Sequence, residues 1–167
     1  MGIFNFDTIK NYNINSFIFN ANNDLIPTMT ALDAPSPFVV SQNGYYDVYS
    51  GFYAFNKETT KGWYCNAAAG WIKIYTYNLC QINKVRIRGV DAKPENYPKD
   101  FTIQISTNDS DWTTVYTVTG ANGLDNTYEF TPVNCKYIKI VVTATVGGVN
   151  WIRIGNITIY GINSNQP

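Results

Sequence analysis

Residues 54–63 read AFNKETTKGW. A small residue and an aromatic lead into a polar turn, Gly62 breaks it, and Trp63 re-enters the core. Asn56, Thr59, Thr60 and Gly62 are turn-forming or side-chain-capping types. They stand between two large apolar anchors, Phe55 and Trp63, so the loop folds on itself and is pinned at both ends. The chain after this loop reads as strand upon strand.

Beyond Trp63 the pattern is period-two alternation. Trp71, Ile74 and Tyr75 belong to one strand. Ile82, Val85, Ile87 and Val90 mark another, with Lys84, Arg86 and Arg88 facing out. Phe101, Ile103 and Ile105 alternate with Thr102, Gln104 and Ser106. Residues 108–111 are a tight turn of Asn, Asp and Ser. Residues 112–119, 127–131 and 137–143 are further strands, residues 145–151 a Gly-Gly loop, and residues 153–160 the closing strand. Roughly eight or nine short strands with no amphipathic helix predict an all-β chain, an antiparallel β-sandwich. Upstream, residues 25–30 read as an extended edge strand interrupted by Pro27. Residues 34–37 form a turn, residues 38–41 a short strand, and residues 42–51 a polar loop carrying Tyr45, Tyr46 and Tyr49. Residues 52–55 read as one helical turn.

Residues 1–23 differ from the rest. They are rich in Asn, Ile and Phe and too apolar for a free tail. They form an arm that packs on its own domain or on a partner, as a short strand or as an attachment segment. The sandwich spans residues 24–161, and residues 162–167 are a C-terminal tail.

Composition excludes several functions. The 167 residues suit one domain with a sizeable core. Basic and acidic residues number 12 each, so there is no basic field for nucleic acid and no polybasic patch for anionic lipid. No apolar run is long enough to insert in a membrane. The N-terminus lacks a basic start followed by an apolar stretch, so a cleaved signal peptide is not expected. His is absent, which removes Ser-His and Cys-His nucleophile pairs and the commonest metal ligand. Asp91, Glu95, Asp100, Asp109, Asp111, Asp125 and Glu129 fall in turns or on outward strand positions, as solvated carboxylates do. Gly147-Gly148 lacks the strand-to-helix context of a phosphate cradle. The chain therefore reads as a non-enzyme. Cys65, Cys80 and Cys135 have no metal spacing and read as buried thiols, with a Cys65–Cys80 bridge left open. The 13 tyrosines are more than one core hides with satisfied hydroxyls, so some lie on the surface.

Four segments, in order, resemble the discoidin family: the coagulation-factor C-type domains and their bacterial carbohydrate-binding relatives, with a galactose-binding-like jelly roll. AFNKETTKGW resembles the family's AFDGNxxTxW. GWIKIYTYNLCQINKVRI resembles its W-x-x-x-D-hG-xxxx-hxxhxh strand pair. YPKDFTIQISTNDSDWTTVYT resembles PKDFxhxxSxDGxxWxxh, and KYIKIVVTATVGGVNWIRIGNITIYG resembles the closing strands. The opening LIPTMTALDAP is similar to starts of such domains in phage tail proteins. The family often carries a structural calcium in the loop that matches residues 54–63. Here the family's Asp is Asn56, its loop Asn is Glu58, its Thr is Lys61, and its closing-strand Glu is Asn156. Calcium prefers carboxylate oxygens, so a metal-free loop with no cofactor is expected. Either the Lys61 ammonium stands in for the ion, bonding loop carbonyls and Glu58, or Lys61 points to solvent.

The resemblance implies a binding site at one end of the sandwich, where residues 42–52, 64–70, 91–98 and 145–151 converge. An aromatic ring covers the CH face of a sugar, and polar side chains fork onto its hydroxyls. The candidate ligand-binding residues are Trp151, Tyr97, Tyr64, Tyr46, Asn150, Glu95 and Asn66. Trp151 is the first choice of platform because it comes just after the Gly-Gly loop. Trp63, Trp71 and Trp112 read as core or rim aromatics. The family's galactose binders use a His that is missing here, so terminal galactose is not the expected ligand. The expectation is a carbohydrate-binding module that recognises a cell-surface glycan or polysaccharide, as a phage virion protein attached to a virion partner through residues 1–23. It would sit at the virion or extracellular surface, with a homo-oligomer left open. The alternative is a structural or protein-interaction domain of the same fold with no sugar site.

Overall fold

Alternating apolar and polar residues can bury one face of a strand only if that face meets another layer. The computed structural model shows that outcome for residues 24–90 and 93–163, which are the residues it describes. The N-terminal arm, Asp91, Ala92 and the last four residues of the tail lie outside them. The described strands are β1 (Val39–Gln42), β2 (Trp63–Cys65), β3 (Gly70–Arg88), β4 (Pro98–Ser106), β5 (Thr113–Val118), β6 (Asp125–Thr145), β7 (Ile152–Ile154) and β8 (Asn156–Asn163). Short 3-10 turns occupy Gly51–Phe55 and Pro94–Asn96. All pairings are antiparallel. One sheet runs β1-β3-β6-β4-β5 with β8 on the far half of β3, and β2 pairs with β7.

Two strands are longer than the sequence pattern implies. The expected separate strands around Trp71–Tyr75 and Ile82–Val90 are one continuous β3, ending at Arg88, and those at 127–131 and 137–143 are one β6. Bulges explain this. The β3–β6 register shifts between Tyr75 and Cys80 and again between Ile82 and Lys84, and a bulge bends a strand without ending it. Residues 70–75 of β3 and 137–142 of β6 pair with β1 and β4. Past the bend, residues 82–88 of β3 lie between β8 on one edge and residues 125–133 of β6 on the other. At the bend Thr76 is buried, its hydroxyl within reach of the Asn78 and Lys136 carbonyls. A bulge shifts the alternation, and that shift reads in sequence as a strand boundary.

One core serves both halves. It joins Ile72, Ile74, Ile103, Ile138 and Ile140 to Ile82, Val85, Ile157, Ile159, Phe55 and Trp63. Trp63 is 0% exposed, as the pinned-loop reading requires. Trp71 and Trp112 are only half buried and lie outside that core. Cys65, Cys80 and Cys135 are buried free thiols, and the neighbour of Cys80 is Cys135 rather than Cys65.

Residues 25–30 do not form the expected edge strand. Asp24 makes a lone bridge to Tyr160, the Leu25 amide donates to the Ile159 carbonyl, and the Met29 amide donates to that of Phe55. Pro27 has no N–H to extend a ladder. The closing strand is two strands, β7 and β8, meeting at Gly155. That glycine donates to the Arg88 carbonyl, and a Cβ there would lie 2.5 Å from the Gly89 carbonyl oxygen. Ile162 and Asn163, read as tail, belong to β8.

Candidate functional site

The loops expected to converge at one end of the sandwich do so, through backbone bonds that side-chain periodicity does not reveal. Residues 42–52 lie along β2: the Tyr46 amide donates to the Tyr64 carbonyl at 2.7 Å, and the Tyr64 amide to the Tyr49 carbonyl at 3.1 Å. The Trp63 indole N–H rises from the core to the Gly44 carbonyl at 2.8 Å. On the opposite side the Gly147 amide donates to the Glu95 carbonyl at 2.8 Å, and the Val146 amide to that of Tyr97 at 3.0 Å. Gly147 is needed for this approach, since a Cβ there would stand 2.7 Å from the Glu95 Cβ. The Thr145 hydroxyl closes the 145–149 turn against the Val149 backbone, and Gly148 takes a left-handed φ of 64° within it.

Between these loops lies an open groove of about 280 Å³ lined by Lys93, Glu95, Asn96, Val149, Trp151 and Arg153. Trp151 forms one wall and meets Tyr46 edge-on, ring centres 4.7 Å apart. Tyr46 is 46% exposed, so the pair is open to solvent. Lys93 and Glu95 pair at 3.7 Å on the rim, both about half exposed. The Arg153 guanidinium sits 4.6 Å from the centre of the Tyr64 ring, and its Nε is buried without a hydrogen-bond partner. Tyr64 stacks on Tyr49 at 4.1 Å. Burial pushes its phenol pKa up, and Arg153 opposes the shift.

The seven sequence-derived candidates separate. Trp151 and Glu95 line the groove, and Tyr46 braces Trp151. Tyr64 is buried beneath, stacked on Tyr49 and beside Arg153, with no free face. Tyr97 is 4% exposed and donates its hydroxyl to the Val90 carbonyl at 2.7 Å, so it is a wedge rather than a platform. Asn66 and Asn150 are exposed and outside the groove lining. Sequence reasoning misses Arg153, which reads only as part of a strand. The signal is present: it lies between buried Ile152 and Ile154, so alternation turns it outward.

The calcium-type loop does not suit a hard cation. The Asn56 side-chain oxygen accepts the Glu58 amide at 3.0 Å. Lys61 is half exposed, 3.7 Å from Glu58 and over the Tyr53 ring, so it is the solvent-facing alternative that holds for Lys61. The ammonium that enters the structure is Lys57. It donates to the Ile26 carbonyl at 2.8 Å and pairs with Asp24, whose other oxygen accepts the Ile26 and Ile159 amides. A cation therefore already occupies the junction between this loop and residues 24–26. No cluster of three acidic or Cys side chains exists among the described residues.

Comparison with known proteins agrees with this architecture. The F5/8 type C domain model matches residues 36–157, and the chain belongs to that family. No curated protein matches the sequence. Among solved structures, chitosan-binding module 1 of a chitosanase/glucanase from Paenibacillus sp. IK-5 is similar at 22% identity and a TM-score of 0.67. The alignment covers 83% of this chain and 99% of that one. The family 32 carbohydrate-binding module of Clostridium perfringens NanJ, solved with galactose, is similar at 16% identity and a TM-score of 0.67, covering 74% and 93%. The CBM32 of AlyQ, solved with 4,5-unsaturated mannuronic acid, is similar at 19% identity and a TM-score of 0.63, covering 73% and 93%. The shared property is the β-sandwich.

Proposed function

We propose that the chain is a non-catalytic carbohydrate-binding module that takes a glycan in the groove walled by Trp151. The observation that carries this reading is the groove's make-up. It places a half-exposed indole beside Lys93, Glu95, Asn96 and Arg153, with one buried guanidinium N–H lacking a partner. The indole offers an apolar face for a pyranose ring, while the polar rim offers donors and one carboxylate acceptor for hydroxyls. The similar structures from Paenibacillus, NanJ and AlyQ were solved with sugars or are named for binding them, which supports the class of ligand. Display in many copies on a surface offsets weak single-site binding. A virion surface is the setting we infer, from the phage-like opening sequence, and mass spectrometry of purified particles tests it. A glycan array tests the binding. Wild type retains a set of glycans that Trp151→Ala loses; an array blank for wild type removes the reading.

A second reading has its own observation. Tyr45 and Val48 are 55% and 61% exposed on the 42–52 loop, beside the groove. Such a pair suits docking of a protein partner. Tyr45→Ser with Val48→Ser separates the two: glycan retention unchanged in this variant favours the groove.

A further inference from the structure

The outer face of the β1-β3-β6-β4-β5 layer carries a second set of rings and cations, in a row that starts at Trp71, bonded to Asn43 at the loop end, and runs along β3 from there. Alternation turns Trp71, Lys73 and Tyr75 of β3 outward, and register sets Lys73 directly opposite Lys139 and Tyr75 opposite Tyr137 on β6. Tyr75 and Tyr137 stack at 4.6 Å, and Tyr77, 54% exposed, meets Tyr75 edge-on. Trp112 lies over the lysines. The Lys139 ammonium is 3.6 Å from its ring centre, and the Lys73 ammonium is 5.9 Å away.

Like charges directly opposite on paired strands destabilise a sheet. Asp109 holds Lys73 with both oxygens at 2.6 and 2.7 Å and acts on Lys139 only from beyond direct contact. Among the described residues Lys139 has no carboxylate in direct contact, and its ammonium rests on the Trp112 indole. A local arrangement that costs stability is characteristic of binding surfaces.

We propose that this face is a second glycan platform, for a linear polysaccharide of uronic acids. A uronate carries its carboxylate on the pyranose ring, so one sugar meets both an aromatic face and the ammonium of Lys139. The row from Trp71 to Tyr75 runs along a strand, which suits an extended polymer. Two lysines against one carboxylate, on a chain of zero net charge, do not make the field a polyphosphate requires. The inference does not depend on the groove, because its residues are different.

The test is affinity electrophoresis of the full chain in gels containing polygalacturonate, or its fully methyl-esterified, neutral form. Wild type is retarded by the acid polymer and not by the ester. Retardation falls at least tenfold in Lys139→Glu and in Trp112→Ala, and is unchanged in Trp151→Ala. Lys139→Glu places opposite charges across the strands, and its melting temperature, read beside that of wild type, separates a loss of binding from a loss of fold. No retardation of wild type, or equal retardation of Lys139→Glu, overturns the inference. Loss confined to Trp151→Ala also overturns it, because the acid would then bind in the groove. A dimer dispersed by Lys139→Glu without polyuronate binding assigns the face to a second copy and overturns it too. A glycan array that fails for the groove leaves this result untouched.

Discussion

The groove at the loop end and the outer face of the sheet use the same ingredients, aromatic rings and cations, in opposite ways. In the groove Lys93 pairs with Glu95 while Arg153 lies over the Tyr64 ring, and the Trp151 and Tyr46 rings come from separate loops. On the face, two lysines oppose each other beside Asp109, and Tyr75 and Tyr137 are aligned by strand register. Residues far apart in sequence reach the groove only because particular amides meet particular carbonyls, such as Gly147 to Glu95 and Tyr46 to Tyr64. The strand residues of the face need only period two, and the turn between β4 and β5 adds Asp109 and Trp112. A loop-built site can therefore be lost by one misplaced turn, whereas a strand-built one persists as long as the sheet does.

The largest expected effect removes the support of the loop end. Trp63→Ala empties the core beneath it and frees the Gly44 carbonyl. Urea denaturation should show a loss of about 3–5 kcal/mol. Next is the junction held by an ammonium. Lys57→Met leaves the Ile26 carbonyl and Asp24 without their donor and should cost about 1–3 kcal/mol. Wild-type melting should not change with EDTA or calcium, since amide and ammonium groups stand where carboxylates would be needed. A calcium-dependent rise in melting temperature would contradict this account of the loop.

Trp151→Ala sharpens the comparison. Glycan affinity should fall at least tenfold, about 1.4 kcal/mol, while stability moves by less than about 1 kcal/mol because the ring is half exposed. On the face, Lys139→Glu should raise stability by about 0.2–1 kcal/mol by replacing a like-charge pair with an opposite one. Unchanged or lower stability would show that Trp112 already neutralises the repulsion.

The smallest effect belongs to neither region. Asp125 is held below the usual carboxylate range by its hydrogen bonds from Arg86, one of them 2.7 Å, with burial opposing the shift. Its folded pKa is depressed, so its contribution is present above the unfolded value, near 4, and is lost as pH falls through the folded value. The pair is about a third or more exposed, which limits Asp125→Asn to about 0.5 kcal/mol at neutral pH. That difference should vanish in strong acid, as urea titrations at several pH values would show.

Much of the fold is legible in the sequence because alternation is local. Phe101, Ile103 and Ile105 are buried as the pattern requires, and Phe55 and Trp63 pin the loop between them. The bends are not legible. A bulge at Tyr75–Cys80 depends on Thr76 reaching carbonyls on two segments, one of them 60 residues away. The site is legible by type more than by exposure. Trp151 comes after a Gly-Gly turn and stays accessible, but Tyr97 carries the same kind of ring and is buried because Gly89 makes room for it. The outer face is hidden because Trp71 and Trp112 resemble core residues until register shows which way they turn. The sequence points to Lys61 rather than Lys57 because loop position does not reveal which ammonium turns inward.

The most direct test of the central claim is an NMR titration that tracks the four indole N–H resonances while a glycan retained on the array is added. The account expects the Trp151 signal to move with saturation, Trp63 to stay fixed in the core, and Trp71 and Trp112 to stay fixed for neutral glycans. Movement of Trp71 or Trp112 by a neutral glycan, with Trp151 unmoved, would contradict it.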